Sequence, residues 1–89
     1  MNRCIIDVRE PLEYRTGHVP GAINIPPATM MVGIPPQLAD IPKSTEIVLY
    51  CVSGARSNTS MHLLKQYGFT NLVNGINKHH VLAKYPSQS

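Results

Sequence analysis

The run IVLY at Ile47–Tyr50 limits the fold more than any other stretch of this chain. Its four apolar side chains do not alternate with polar ones, so a strand here buries both of its faces. Such strands sit in parallel sheets covered by helices on both sides. The expected class is therefore α/β, a central and mostly parallel sheet flanked by helices. A length of 89 residues suits one domain, spanning 1–89, and not two.

The flanking segments agree with this. CIIDV, Cys4–Val8, is rich in β-formers and bounded by charge, which predicts a strand. Pro11 suits the first turn of a helix, and PLEYRTG predicts one or two turns stopped at Gly17. AINI, Ala22–Ile25, is predicted as a short strand ended by Pro26 and Pro27. The segment from Pro27 to Thr45 holds four prolines and reads as a long connection, with helical turns at Ala28–Val32 and Gln37–Asp40 as candidates. After the strand Glu46–Tyr50, the apolar spacing of Met61, Leu63 and Leu64 predicts a helix closed by Gly68. A short strand at Asn71–Val73 and a helix through HHVLAKYP ending at Pro86 complete the pattern, with 86–89 as a frayed tail.

Composition removes several function classes. Eight basic and five acidic side chains give a net charge of +3, but the basic residues are scattered and form no run. A nucleic-acid binder concentrates such charge on one face, so no nucleic-acid partner is expected. A mild positive excess favours small anions. Two cysteines, Cys4 and Cys51, are too few for a disulfide scaffold or a cysteine-rich metal site, and His79 and His80 are adjacent rather than at ligand spacing. No metal and no cofactor is expected. No apolar run approaches 18 residues, and Asp7 comes too early for a signal peptide, so a reducing, cytoplasmic setting without a membrane partner is expected.

The stretch CVSGARS, Cys51–Ser57, places a thiol where the buried strand ends and a helix begins. A turn of this kind can aim successive backbone N–H groups into one concavity, a nest for an anion. The helix start adds unsatisfied N–H groups, and both features lower a thiol pKa. Gly54 permits a left-handed step, and Val52, Ser53 and Ala55 let the loop close on itself. Arg56 can fork onto an oxyanion or brace the loop from outside. Ser57 can cap the helix or donate to the cysteine sulfur.

Four segments, IIDVREPLEY, GHVPGAINIP, IVLYCVSGARS and NLVNGI, together resemble the single-domain rhodaneses, the thiosulfate sulfurtransferase-like family. The resemblance implies that Cys51 carries a sulfane sulfur as a persulfide and that the backbone amides of Cys51–Arg56 wrap it. It implies a two-step transfer from thiosulfate or a similar anionic donor to cyanide, a small thiol or a protein thiol, with Arg56 capturing the donor. Asp7 and Arg9 match the family residues that organise the rim of the site, and Gly17, His18, Pro20, Gly21 and Ala22 match a structural segment. His18, His62, His79 and His80 receive no catalytic role, and Cys4 is expected to be a buried, inert thiol.

This chain departs from the family pattern in two places. Asn74 stands where many members carry the first of two glycines, Gly75 keeps the second, and His79 lies near the place of a tryptophan. The expected consequence is for packing of the last helix. Members also usually carry a strand and helix ahead of the DVR strand, so an open sheet edge available to a partner is expected. Two other functions fit the same residues. One is a non-catalytic binding or regulatory module. The other is a cysteine phosphatase or arsenate reductase, which would place five residues rather than four between cysteine and arginine.

Overall fold

The computed structural model describes residues 3–86. Its centre is a four-stranded, wholly parallel sheet in the order β2-β1-β3-β4. The strands are β1 at Arg3–Asp7, β2 at Ile23–Asn24, β3 at Glu46–Cys51 and β4 at Leu72–Asn77. The helices are α1 at Pro11–Arg15, α2 at Pro27–Met31, α3 at Ala55–Gln66 and α4 at Lys78–Lys84. The α/β class read from IVLY is the class observed.

β3 lies inside the sheet, with β1 on one side and β4 on the other. Ile47, Val48, Leu49 and Tyr50 are all fully buried, as the lack of alternation required. The pleat sorts them between two cores. Ile47, Leu49 and Cys51 join Met30 of α2, Leu64 of α3 and Phe69. Val48 and Tyr50 join Val19, Val81 of α4 and Tyr85 on the opposite face.

Boundaries differ from the sequence expectation where backbone pairing outruns side-chain pattern. β1 runs from Arg3 to Asp7 rather than from Cys4 to Val8, although Val8 is buried and its N–H still donates to Tyr50 O at 3.0 Å. β2 keeps only Ile23 and Asn24 of Ala22–Ile25. β3 extends one residue further, so Cys51 is the last residue of the strand and not the first of the turn. Both helical turns expected in the connection form, as α2 and as a 3-10 turn at Pro36–Leu38. α3 ends as expected: Tyr67 caps it and Gly68 follows at φ 101°. α4 stops at Lys84, and of the frayed tail read at 86–89, residues 87–89 lie outside the described residues.

β4 is the largest difference. Only Asn71–Val73 was expected, but the strand runs to Asn77 by way of a bulge. Leu49 pairs with Asn74 and Tyr50 with Ile76, so Gly75 is the extra residue. Gly75 must lack a side chain here: a Cβ would lie 2.5 Å from Val81 Cγ2 and 3.0 Å from Val48 Cγ1. Ile76 then takes φ 73°, a left-handed conformation that costs a β-branched residue energy. Among the described residues no helix is long and apolar enough to cross a membrane.

Candidate active site

Because β3 ends at Cys51, the ladder fixes the cysteine backbone before the chain turns. Cys51 is only 2% exposed, whereas Val52 in the next position is 58% exposed. The sulfur thus lies on the floor of the loop and the turn forms its rim. Gly54 takes φ 93° as the N-cap of α3, and its N–H donates to Cys51 Sγ at 3.1 Å. Ser57 is fully buried, with Oγ 3.5 Å from the same sulfur.

Burial pushes the Cys51 thiol up. The Ser57 hydroxyl and the backbone amides of Ser57, Ser53 and Gly54 outweigh it and bring the thiol down to about 7. The Gly54 N–H bonds the sulfur directly, and the amides of Ser53 and Ser57 also favour the thiolate. Cys4 differs: it is half-buried in β1, and burial alone pushes its thiol up. In a Cys4→Ser background, alkylation of Cys51 by iodoacetamide should rise with pH through a midpoint of about 7. A midpoint at or above the free-thiol value of about 8.5 would mean that the amides do not stabilise the thiolate.

Arg56 is paired with a carboxylate that the sequence did not place beside it. Its two terminal nitrogens donate to Glu13 of α1, Nη1 to Oε1 at 2.7 Å and Nη2 to Oε2 at 3.1 Å. That hydrogen-bonded fork, with the Glu10 backbone N–H on the same carboxylate, holds Glu13 down at about 2. Glu13 therefore stays ionised and paired throughout the neutral range. The guanidinium faces α1 and ties the start of α3 to it.

Asp7 and Arg9 pair with each other beneath the surface at the end of β1. Asp7 is fully buried. Its carboxylate accepts from Arg9 Nη2 at 2.7 Å, Arg9 Nε and the Arg9 backbone N–H at 2.9 Å each, and the Tyr50 hydroxyl at 3.0 Å. Burial first, and then the Asp7 charge, push Tyr50 up to about 12, so it stays a neutral donor. Arg9 Nη2 also donates to Gly17 O at 2.7 Å, and the Val19 N–H donates to Tyr50 Oη at 3.0 Å. The GHVPGA segment is thereby fastened to the sheet. His18 stacks on Tyr14 with ring centroids 3.6 Å apart, and its Nδ1 lies 2.9 Å from Tyr14 O, a structural placement.

The sequence reading missed Asn74 at this site. The side chain reaches from the β4 bulge to the loop: Nδ2 donates to Gly54 O at 3.0 Å, and Oδ1 accepts from Ser57 Oγ at 2.8 Å. The signal was available as an amide in place of a glycine, but it pointed to the last helix. Glu13 was missed as well. A separate cavity of 540 Å³ runs along α3 past Met61, His62, Lys65, Phe69 and Leu72. It contains no residue of Cys51–Ser57 and neither thiol. Among the described residues no three His, Cys, Asp or Glu side chains converge as a metal site would require.

Comparison with known proteins points the same way as this geometry. A sulfurtransferase of Allochromatium vinosum is 37% identical over 70 residues, covering 79% of this chain and 62% of that protein. A thiosulfate sulfurtransferase of Escherichia coli is 36% identical over 69 residues, covering 78% of this chain and 64% of its own length. Across such relatives the chain spans between 17% and 64% of their lengths. Among solved structures, a rhodanese from E. coli with anions superposes with a TM-score of 0.74 at 30% identity, covering 88% of this chain and 89% of that one. A human single-domain sulfurtransferase shares the fold, with a TM-score of 0.72 at 23% identity over 99% of this chain and 85% of its own. The rhodanese-like domain profile matches residues 1–78, and with a buried strand-end cysteine ringed by amides in the same span, the chain belongs to the rhodanese-like domain family.

Proposed function

We propose that this chain transfers a sulfane sulfur from thiosulfate or a similar anionic donor, through a persulfide on Cys51, to cyanide or a thiol. The observation that carries the reading is the Cys51 sulfur itself, at the end of a buried strand, inside a ring of N–H donors that brings the thiol to about 7. Such a thiol is substantially ionised near neutral pH, so no general base is needed.

In the first step the Cys51 thiolate attacks the outer sulfur of thiosulfate. The S–S bond to the sulfonate sulfur breaks and sulfite leaves with the electron pair. Cys51 then holds a persulfide anion. In the second step cyanide attacks the outer sulfur, thiocyanate departs, and the thiolate returns; a thiol acceptor takes the sulfur as its own persulfide. The amides of Ser53, Gly54 and Ser57 stabilise negative sulfur in each state. Four residues separate Cys51 from Arg56, and Gly54 N–H closes directly onto Sγ, which favours a single sulfur atom over a tetrahedral oxyanion. Sulfite release from thiosulfate, measured alongside aryl phosphate hydrolysis, tests the reading. Phosphatase turnover would overturn it, and the absence of either activity would leave a binding module.

The pairing with Glu13 makes Arg56 a brace in this scheme. Arg56→Ala and Glu13→Gln should each lower turnover by a similar factor, on the order of fivefold to thirtyfold, with thiosulfate and with a neutral thiol-borne donor. Steady-state kinetics with both donors check this. A rise in KM confined to thiosulfate would return Arg56 to the role of anion captor.

A further inference from the structure

The Ser57 hydroxyl has one hydrogen and three acceptors within reach: Asn74 Oδ1 at 2.8 Å, Gly54 O at 3.2 Å and Cys51 Sγ at 3.5 Å. The orientation of the Asn74 amide decides the competition. The Ile76 backbone N–H points at that amide from 2.9 Å and needs an acceptor, so the atom it meets is Oδ1 and not the NH₂ group. The NH₂ group then faces Gly54 O at 3.0 Å. With Oδ1 fixed as an acceptor beside Ser57, the hydroxyl must donate to it. Its lone pairs are left for Cys51, an arrangement that suits a thiol hydrogen and not a thiolate.

We propose that Asn74 is a positioning residue for the Cys51 sulfur: by holding the one hydroxyl hydrogen of Ser57, it opposes the swing of that hydrogen onto the ionised sulfur. When Cys51 loses its proton to solvent, the hydroxyl turns from Asn74 Oδ1 to Sγ, and Oδ1 keeps the Ile76 N–H. The bulge at Gly75 and the left-handed turn of Ile76 make this possible, because they put the Ile76 N–H on the side chain two residues earlier. Asn74 thus sets how readily the sulfur becomes anionic without touching it.

Few charged groups compete with this effect. α3 brings Arg56, paired with Glu13 of α1, and Glu10 stands before α1. β1 brings Asp7 with Arg9 following it, paired with each other, and β3 brings Tyr50, tied to Asp7. β4 carries no ionisable side chain, while on α4 Lys78 lies beside Gly17 and His79 and His80 are exposed. None of these is hydrogen-bonded to Ser57 or Asn74.

The proposal rests on Cys51 as the reacting thiol, but its test needs no sulfur transfer. Iodoacetamide alkylation of Cys51 is followed against pH in a Cys4→Ser background. Asn74→Ala should lower the midpoint by about 0.5 to 1 pH unit, the scale of one contested hydrogen bond to a charged group. In a Ser57→Ala background the same change should leave the midpoint where it was. A shift of equal size without Ser57, or an upward shift that marks simple loosening of the loop, would overturn the proposal. Should Asn74→Ala lose its near-ultraviolet circular dichroism, the isosteric Asn74→Asp replaces it. Aspartate keeps an acceptor toward Ser57 and Ile76, and it should raise the midpoint more with Ser57 present than with Ser57→Ala. Equal rises would show charge alone and would also overturn the proposal. Absence of sulfite release together with an intact Asn74–Ser57 coupling would count against the transfer reaction and leave this inference standing.

Discussion

Cys51→Ser is expected to abolish sulfite release from thiosulfate, a loss on the order of a thousandfold or more, while Cys4→Ser keeps most of it. A serine hydroxyl at the same place remains protonated at neutral pH, and its oxygen cannot hold a transferable sulfur. The amide ring would then surround a neutral group and stabilise nothing. Cys4 has the opposite environment. It lies in β1, opposite Ile47 of the neighbouring strand, and burial disfavours its thiolate. Purified variants checked for folding by circular dichroism, then assayed for sulfite and for mass gain of 32 Da per persulfide on intact protein (a value fixed by one sulfur atom, about 32 Da), decide the matter. Comparable losses from both substitutions would remove Cys51 from its role as the carrier.

The second large effect concerns stability. Removing one partner of the Asp7–Arg9 pair should destabilise the fold by about 3–5 kcal/mol, because the remaining charge stays buried without compensation. Asp7 is fully buried and Arg9 is 9% exposed, so neither charge can turn to water without moving the end of β1. Arg9→Ala leaves the Asp7 carboxylate with the Tyr50 hydroxyl as its remaining side-chain donor among those described, and it frees Gly17 O as well. For a chain of this size each kcal/mol is worth about 4–8 °C in Tm, so the loss reaches about 12 °C or more. Arg9→Lys should recover only part of this, since an ammonium cannot reproduce the fork made by Nε and Nη2. Urea unfolding followed by circular dichroism measures the difference. A change below about 0.5 kcal/mol would mark the pair as peripheral to the fold.

What could be read from the sequence follows from how locally each feature is encoded. IVLY carries its burial in its own composition, and so β3 and the α/β class were legible. The Cys51 loop was legible for a related reason, since thiol, left-handed glycine and helix start occur within seven consecutive residues, Cys51–Ser57. The Arg56 brace was not, because Glu13 lies 43 residues away and nothing in either segment names the other. Asn74 was hidden by its neighbour. An Asn-Gly pair ordinarily signals a tight turn, and only the ladder to β3 shows that here it is a bulge within a strand. The short helices of the proline-rich connection could be placed but not bounded, because prolines fix where a turn begins and say little about where it ends.

The bulge has one more consequence, for the behaviour of the molecule in concentrated solution. Among the described residues β4 pairs only with β3, so it forms one margin of the sheet. A straight margin offers a row of unpaired backbone groups on which a strand of another molecule can assemble. Gly75 and Ile76 interrupt that row midway and twist it, leaving Leu72–Asn74 as the only straight run before the break. Three residues make a poor template for edge-to-edge growth, so the kink that seats an amide against the cysteine loop also works against aggregation.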